Sequence, residues 1–406
     1  MESIYPEVQT IIKNIAVSEG FTDPEITASG QMDNGEGFTG NVIFISITDK
    51  QRTKGLDIVV KQSNLNQNVR DAIPVHTLYK NESYFYNRIW PELSKLQNTL
   101  PNIDPFNNIP KCFATDVHKD KECLIMENLM TQQFKTIEKN VSFSDAELKY
   151  ILTKYGKFHG LSFGYKAKYP NNFNEFCETL TPYWKIQGDA KLFIYCFEDA
   201  VKKCEKYLSL NKDIKTKESL EKLTKNCVEL YKNSVTYTGN YGVITHGDCW
   251  SNNMMFKYDK NGKIEDMKFI DFQASSKASV VQDLAYFLYS GCDKQVLDNL
   301  DKYLMIYHKS LVETCLALDC KEYISFEELK KEWKEYCYFG FMMALIVFGV
   351  KCAIPEDIKK ADFGELLDDF NNSSKEKPEH KIRLDEEMME IKYKELFNHM
   401  VKNHFF

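Results

Sequence analysis

The stretch His246-Gly-Asp-Cys-Trp-Ser-Asn-Asn253 sets an Asp and an Asn five positions apart, and a second Asp follows inside Phe269-Ile-Asp-Phe-Gln273. Side chains of these types suit phosphoryl transfer from a nucleotide. One carboxylate must accept the proton of an attacking hydroxyl. An amide oxygen and a second carboxylate must hold magnesium, which prefers hard oxygen donors, against a triphosphate. That division makes Asp248 the base and Asn253 and Asp271 the metal ligands. A His-Gly-Asp-x4-Asn pattern arises by chance in a chain of this length on the order of once in a thousand. The competing reading is a polar turn beside a buried hairpin.

The same chemistry needs a strand Lys on the α- and β-phosphates and a helix Glu to aim it. Lys61 ends the apolar run Asp57-Ile-Val-Val60, and Glu82 follows on the next predicted helix. Gly35-Glu-Gly37 sits where a phosphate-covering loop belongs. Neighbouring residues receive plainer roles. His246 is expected to pack and hydrogen-bond beneath the catalytic loop, Asp283 to accept backbone hydrogen bonds that fix it, and His159 to be structural. Cys249 has no activating base nearby and reads as an inert thiol. Trp250 either lines an acceptor pocket or packs.

These residues need elements to hold them. Val8, Ile11, Ile12 and Ile15 recur at helical spacing, and residues 38–48 and 56–61 are β-rich strands. A helix runs through Glu82 and is expected to stop at Pro91. A strand pair follows over 112–117 and 123–126. The pattern predicts a small α+β lobe over residues 1–129 and a larger, mainly helical lobe over 130–406. In the second part, Ser144 with Glu147 forms a capping box that opens a helix to about Phe163. Residues 171–235 read as helices, and short strands near Val243-Ile244 and Met267-Ile270 flank the opening motif. Leu384, Met388 and Ile391 suggest the apolar face of a closing helix, and residues 371–378 read as a loop.

Composition narrows the function. The 406 residues exceed one ordinary core. A net charge of -7 with a pI near 5.8 leaves no basic footprint for nucleic acid. Twelve cysteines without a CxxC pair, and an N-terminus without a secretory pattern, predict a cytoplasmic protein with reduced thiols. The apolar run 336–350 is shorter than the roughly 18–20 residues of a spanning helix, so no membrane insertion is expected. The triplet Asn81-Glu-Ser83 is then idle as a glycan acceptor. The 27 Phe and 23 Tyr fit large cores or a pocket for a bulky apolar ligand.

The block from His246 to Phe287, with Gln282-Asp-Leu-Ala-Tyr-Phe287, Lys61, Phe85-Tyr-Asn-Arg-Ile-Trp-Pro-Glu-Leu93, Leu124-Ile-Met-Glu-Asn-Leu129 and Lys157-Phe-His-Gly-Leu-Ser-Phe163, resembles the ecdysteroid-kinase-like family of arthropods. That family is a branch of the kinases that includes aminoglycoside phosphotransferases and choline kinases. The resemblance implies a two-lobed kinase-like fold, ATP and Mg2+ as cofactors, Asp248 as base, Asn253 and Asp271 on the metal, and a Lys61–Glu82 ion pair. It also implies a lobe connection at 126–129, where the Glu127 carbonyl and Leu129 N–H would read adenine. The expected activity is transfer of phosphate from ATP to an alcohol, most simply an ecdysteroid hydroxyl such as the 22-hydroxyl. Aromatic residues around Tyr183-Trp184 and Phe193–Phe197 are candidates for the walls of such a pocket. The alternatives are a non-catalytic nucleotide- or hormone-binding protein and a choline- or aminoglycoside-type phosphotransferase. Protein-kinase activity is disfavoured, because Asp283 follows Asp271 too closely for a peptide-docking segment. The oligomeric state is not legible.

Overall fold

The computed structural model describes residues 4–31, 39–100, 104–138, 142–208, 213–360 and 382–406. The Gly35–Gly37 turn and the 371–378 loop lie outside the described residues.

The small lobe is an antiparallel sheet in the order β1 (Glu25–Gln31), β2 (Gly40–Thr48), β3 (Leu56–Ser63), β5 (Cys123–Glu127), β4 (Cys112–Asp116). Helix α1 (Pro6–Ser18) covers one face, packing Val8, Ile12 and Ile15 on Ile43, Ile45, Ile47, Ile58 and Val60. Side chains alternate along a strand, so with Ile58 and Val60 under α1, Lys61 must face the other way. That periodicity aims Lys61 into the cleft. Strand β1 was not anticipated. It is an edge strand, mostly exposed and bulged between Ala28 and Gly30, so it carries no alternating apolar signal.

On the cleft side lie α2 (Gln67–Ala72), α3 (Val75–Tyr84) and α4 (Trp90–Asn98). Pro91 does not stop the helix, contrary to expectation. A π turn over Phe85–Ile89 joins α3 to α4, the Trp90 N–H reaches back five residues to the Phe85 carbonyl, and Pro91 falls in the first turn of α4. The π turn widens the backbone just before Pro91, where an uninterrupted α-helix would set the proline ring against the carbonyl four residues back.

The larger lobe is helical. Helix α5 (Asp145–Lys168) begins with the predicted capping box, with both Ser144–Glu147 bonds present. It is followed by α6 (Pro170–Thr179), α7 (Tyr183–Gln187), α8 (Lys191–Leu208) and α9 (Ile214–Ser234). Four short strands then build the site: β6 (Val243–Ile244) pairs with β9 (Lys277–Ala278), and β7 (Met254–Tyr258) with β8 (Ile264–Phe269). Helices α10 (Val280–Gly291), α11 (Lys294–Asp298), α12 (Leu300–Ala317), α13 (Phe326–Lys351), α14 (Pro355–Lys360) and α15 (Glu386–Lys402) complete it. Gly156, Gly160 and Gly164 form a stripe on α5 against α12. A Cβ on Gly156 would sit 2.6 Å from the Tyr307 carbonyl oxygen, so the two helices need that hydrogen.

The apolar run 336–350 lies within α13 and is core: Phe339, Phe341 and Met342 are fully buried. Among the described residues no helix is long and apolar enough to cross a membrane. The closing helix is present, but its inward face differs from the expected one. Ile391 is half exposed, and Met389, Tyr393, Leu396, Phe397 and Met400 are buried instead. The true stripe is set by what α15 packs on, and Leu384 falls outside the helix altogether.

Candidate active site

Lys61 arrives from β3 and Glu82 from α3, and their side chains meet at 2.7 Å. The same ammonium lies 2.7 Å from Asp271, which follows β8 in the other lobe. Burial works against the Lys61 charge, but Asp271 and Glu82 outweigh it and hold the ammonium above its ordinary range. Burial pushes the Glu82 carboxyl up, with Lys61 opposing. One cation is therefore shared between two carboxylates drawn from opposite lobes.

Asp271 reaches this position through a left-handed backbone, at φ 68° and ψ 65°. That region is unusual for a non-glycine residue, although Asp tolerates it better than most, and such outliers cluster at functional sites. Phe272 anchors the turn by stacking on Phe85, with centroids 3.9 Å apart and planes 7° from parallel. Phe85 opens the π turn just beyond Glu82, so the stack ties the segment bearing Asp271 to the helix bearing Glu82.

The loop 246–253 crosses beneath. Gly247 is required twice over: its φ is +87°, and a Cβ would lie 2.2 Å from the Ala274 carbonyl oxygen. Asp283 accepts from the His246 and Gly247 backbone N–H groups at 2.7 and 2.9 Å and contacts His159 at 3.1 Å. Burial opposes its charge, but His159, His246 and the Gly247 N–H keep its carboxyl below the usual range. His246 is depressed by burial, and one neutral tautomer satisfies both neighbours. Its Nδ1 accepts from the Asp248 N–H and its Nε2–H donates to the Ile270 carbonyl. The expected supporting roles of His246, His159 and Asp283 match this geometry.

Asp248 is half-buried at the cleft. Burial and the nearby Asp271 push its carboxyl up to about 7, against hydrogen bonds from Tyr286 and Asn253. Asn253 donates from Nδ2 to the Asp248 carboxylate at 2.8 Å and to its carbonyl at 3.0 Å. That leaves Oδ1 as the free-standing acceptor of the amide. The Ile270 N–H bonds to the Asn253 carbonyl at 3.0 Å, which places the two candidate metal ligands side by side, just before β7 and just after β8. Among the described residues no group of three or more His, Cys, Asp or Glu gathers around a metal position. Asp271 and Asn253 do fit Mg2+, which takes few protein oxygens and completes its shell with phosphates and water.

At the expected lobe connection, Glu127 ends β5 and Leu129 precedes a 3-10 turn over Met130–Gln132. The Glu127 side chain is engaged locally, accepting from the Lys111 N–H and from Gln132, each at 2.7 Å. Leu129 is buried.

The sequence did not reveal several contacts. The Trp184 indole donates to the Gly247 carbonyl at 2.5 Å, holding the loop 246–253. Tyr286 bonds Asp248. It lies three residues after Asp283 on α10, so helical spacing could have placed both on the face toward the loop. Phe197, expected in a pocket wall, is instead core: it is fully buried with its ring 4.4 Å from Tyr231. Tyr183 stays near the chemistry, its phenol raised by burial and then by Asp248 and Asp271. Cys249 is fully buried, and its thiol is raised well above its normal range by burial, as expected for an inert group. Trp250 is partly buried against the core.

No curated protein matches the chain. Among solved structures it is similar to the GDP and kanamycin complex of APH(2")-IIia, at 13% identity and a TM-score of 0.44, covering 91% of this chain and 100% of that one. It is also similar to glucosamine kinase in complex with glucosamine, ADP and inorganic phosphate, at 9% identity and a TM-score of 0.33, covering 98% and 88%. Both likenesses are distant. A family model matches residues 34–320, a span that takes in Lys61, Glu82, Asp248, Asn253 and Asp271, and by that match the chain belongs to the ecdysteroid kinase-like family.

Proposed function

We propose that the protein is an ATP-dependent kinase that phosphorylates the hydroxyl of a small alcohol, with residues 1–129 handling the nucleotide and 130–406 the acceptor. The observation that supports this best is the convergence of Lys61, Glu82 and Asp271 from two lobes, 2.7 Å apart in each pair, above a loop carrying Asp248. In this reading Lys61 exchanges its Asp271 contact for α- and β-phosphate oxygens, with Glu82 holding it in place. Asp271 and the Asn253 Oδ1 would hold Mg2+, which would neutralise phosphate charge. Asp248 accepts the proton of the attacking alcohol, and Asn253 keeps its carboxylate oriented. The Glu127 carbonyl and Leu129 N–H would read the adenine edge. The protein forms no covalent bond to substrate; positioning and charge supply the rate.

Family membership and the aromatic side chains of Tyr183, Trp184 and Tyr286 beside the loop favour a bulky apolar acceptor, an ecdysteroid above all. A cytoplasmic location fits the reduced cysteines. The test is incubation of purified protein with Mg2+ and ATP against a mixed library of steroids, plant alcohols, choline and aminoglycosides, read by mass for products that gain one phosphate. Gain on a steroid supports the reading, and gain on choline or an aminoglycoside moves the acceptor class. Nucleotide binding with no product anywhere leaves a binding protein.

A further inference from the structure

Asn81 precedes Glu82 on α3 and is only 2% exposed. Its amide bonds backbone on two other segments. Asn81 Nδ2 donates to the Thr181 carbonyl at 2.8 Å and to the Gln273 carbonyl at 3.3 Å, and its Oδ1 accepts from the Thr181 N–H at 3.0 Å. Thr181 sits between α6 and α7, where Leu180 is extended and Pro182 caps the next helix without a side-chain bond. Helical bonds are not available to its backbone there, so one side chain satisfies both its donor and its acceptor. Gln273 is two residues beyond Asp271. Trp184, three residues beyond Thr181, holds the Gly247 carbonyl next to Asp248.

We infer that Asn81 is a positioning residue: its amide fastens the helix that carries Glu82 to the segment that carries Asp271 and to the strap 180–184, and through Trp184 to the loop that carries Asp248. The catalytic part of this inference rests on the kinase reading above; the mechanical part does not. The Asn81 amide and the Trp184–Gly247 bond are buried, so sliding the segments apart would leave polar groups unpaired, and strap and helix move together. Tyr183 lies on the strap with Asp248 and Asp271 both acting on its phenol. Contacts made on the acceptor side at Tyr183 and Trp184 are thereby transmitted to the Lys61–Glu82 pair, and an acceptor that seats the strap also seats the phosphate-holding lysine.

The experiment compares Asn81→Ala, Trp184→Phe and the double variant by amide hydrogen exchange on the ligand-free protein and by turnover of Mg2+–ATP with the alcohol library. Trp184→Phe keeps an aromatic ring but loses the five-membered ring of the indole with its N–H, so the bond to Gly247 is removed and a small cavity is left. Asn81→Ala should speed exchange about tenfold in 180–184 and 246–253 as well as in its own helix. Trp184→Phe should speed it in 246–253 and, acting in the opposite direction, in 75–84. Turnover should fall roughly 10–100-fold with the KM for ATP within about threefold, since misplacement of a reacting group costs rate more than binding. The double variant should be no worse than the poorer single one, because linked contacts are non-additive. Faster exchange confined to 75–84 in Asn81→Ala, or to 246–253 in Trp184→Phe, would overturn the inference. A wild type that shows no turnover removes the kinase reading, while the exchange pattern still decides the linkage.

Discussion

Two buried glutamates meet β3 two residues apart, Glu82 at Lys61 and Glu122 at Ser63, and their surroundings are opposite. Glu122 accepts from the Ser63 hydroxyl at 2.7 Å, from Arg70 at 2.7 and 3.3 Å, and contacts His76 at 2.8 Å. Burial opposes its charge, but these partners prevail and hold its carboxyl at about 2. Glu82 has one cationic partner, Lys61, which it shares with Asp271. Its Oε1 is buried without a well-formed hydrogen bond, and its carboxyl is pushed up. The first cluster is complete and stabilises the sheet. The second has two carboxylates on a single ammonium, with Asp248 adding its charge nearby. That imbalance has a cost in the ligand-free chain and is relieved by added positive charge, so its incompleteness suits a place where a metal–nucleotide binds.

The sharpest way to break the comparison is Asp248→Asn. If the incomplete cluster performs proton transfer, turnover should fall by roughly 10³-fold or more while ADP affinity, measured by calorimetry, stays within about threefold. Unchanged turnover would remove Asp248 from its role and leave the crowding of carboxylates without a chemical purpose.

The next pair of variants contrasts the two glutamates directly. Glu82→Gln should lower turnover by roughly 10–100-fold through loss of Lys61 alignment, with unfolding free energy within about 1 kcal/mol of wild type, because a carboxyl already raised by burial loses little on neutralisation. Glu122→Gln should do the reverse. Stability should drop by about 3 kcal/mol as Arg70 loses a buried partner, while turnover per folded molecule holds. Chemical denaturation and steady-state kinetics on both variants check this, and swapped outcomes would invert the assignment.

Acid sharpens the same contrast at smaller amplitude. The Glu122 carboxyl is depressed in the folded chain, to about 2, against roughly 4.3 unfolded. A depressed carboxyl contributes stability that is fully present above its unfolded value and is lost as pH falls toward its folded value. The contribution is about 2 kcal/mol after allowance for solvent screening, and it disappears between about pH 4.5 and 2. Thermal unfolding of Glu122→Gln should therefore show a shallower fall across that window than wild type.

The sequence displayed the loop 246–253 as a candidate site because its groups lie close together in the chain and their types are chemically specific. Lys61 was legible because it ends an apolar strand ahead of the Asp248 loop, and Glu82 because phosphate chemistry calls for a helix Glu next in order. What stayed hidden depended on long-range packing. The Asn81 amide bonds Thr181, one hundred residues on, and looked like an idle Asn-x-Ser triplet. Trp184 was legible as a bulky ring, but nothing local showed that its N–H reaches Gly247. Pro91 misled because the π turn before it leaves no trace in composition. Ile391 misled because periodicity alone cannot choose which of two apolar stripes faces the core. Residues 104–110 sit in the N-terminal third by sequence, yet Asn108 bonds Met267 and Phe269 across the boundary.

The smallest effect tests whether the Glu122 cluster is as redundant as its geometry indicates. His76 meets Glu122 Oε1, but Arg70 Nη2 meets the same oxygen at 2.7 Å, and the other oxygen keeps Ser63 and Arg70. The His76 side chain is one-third exposed, so water can replace it after truncation. His76→Ala should then lower unfolding free energy by no more than about 1 kcal/mol and leave turnover unchanged. A loss near the 3 kcal/mol expected for Glu122→Gln would mean that His76 is a full member of the network. The contrast between a saturated glutamate and an unsaturated one would then narrow, because each would depend on a single irreplaceable partner.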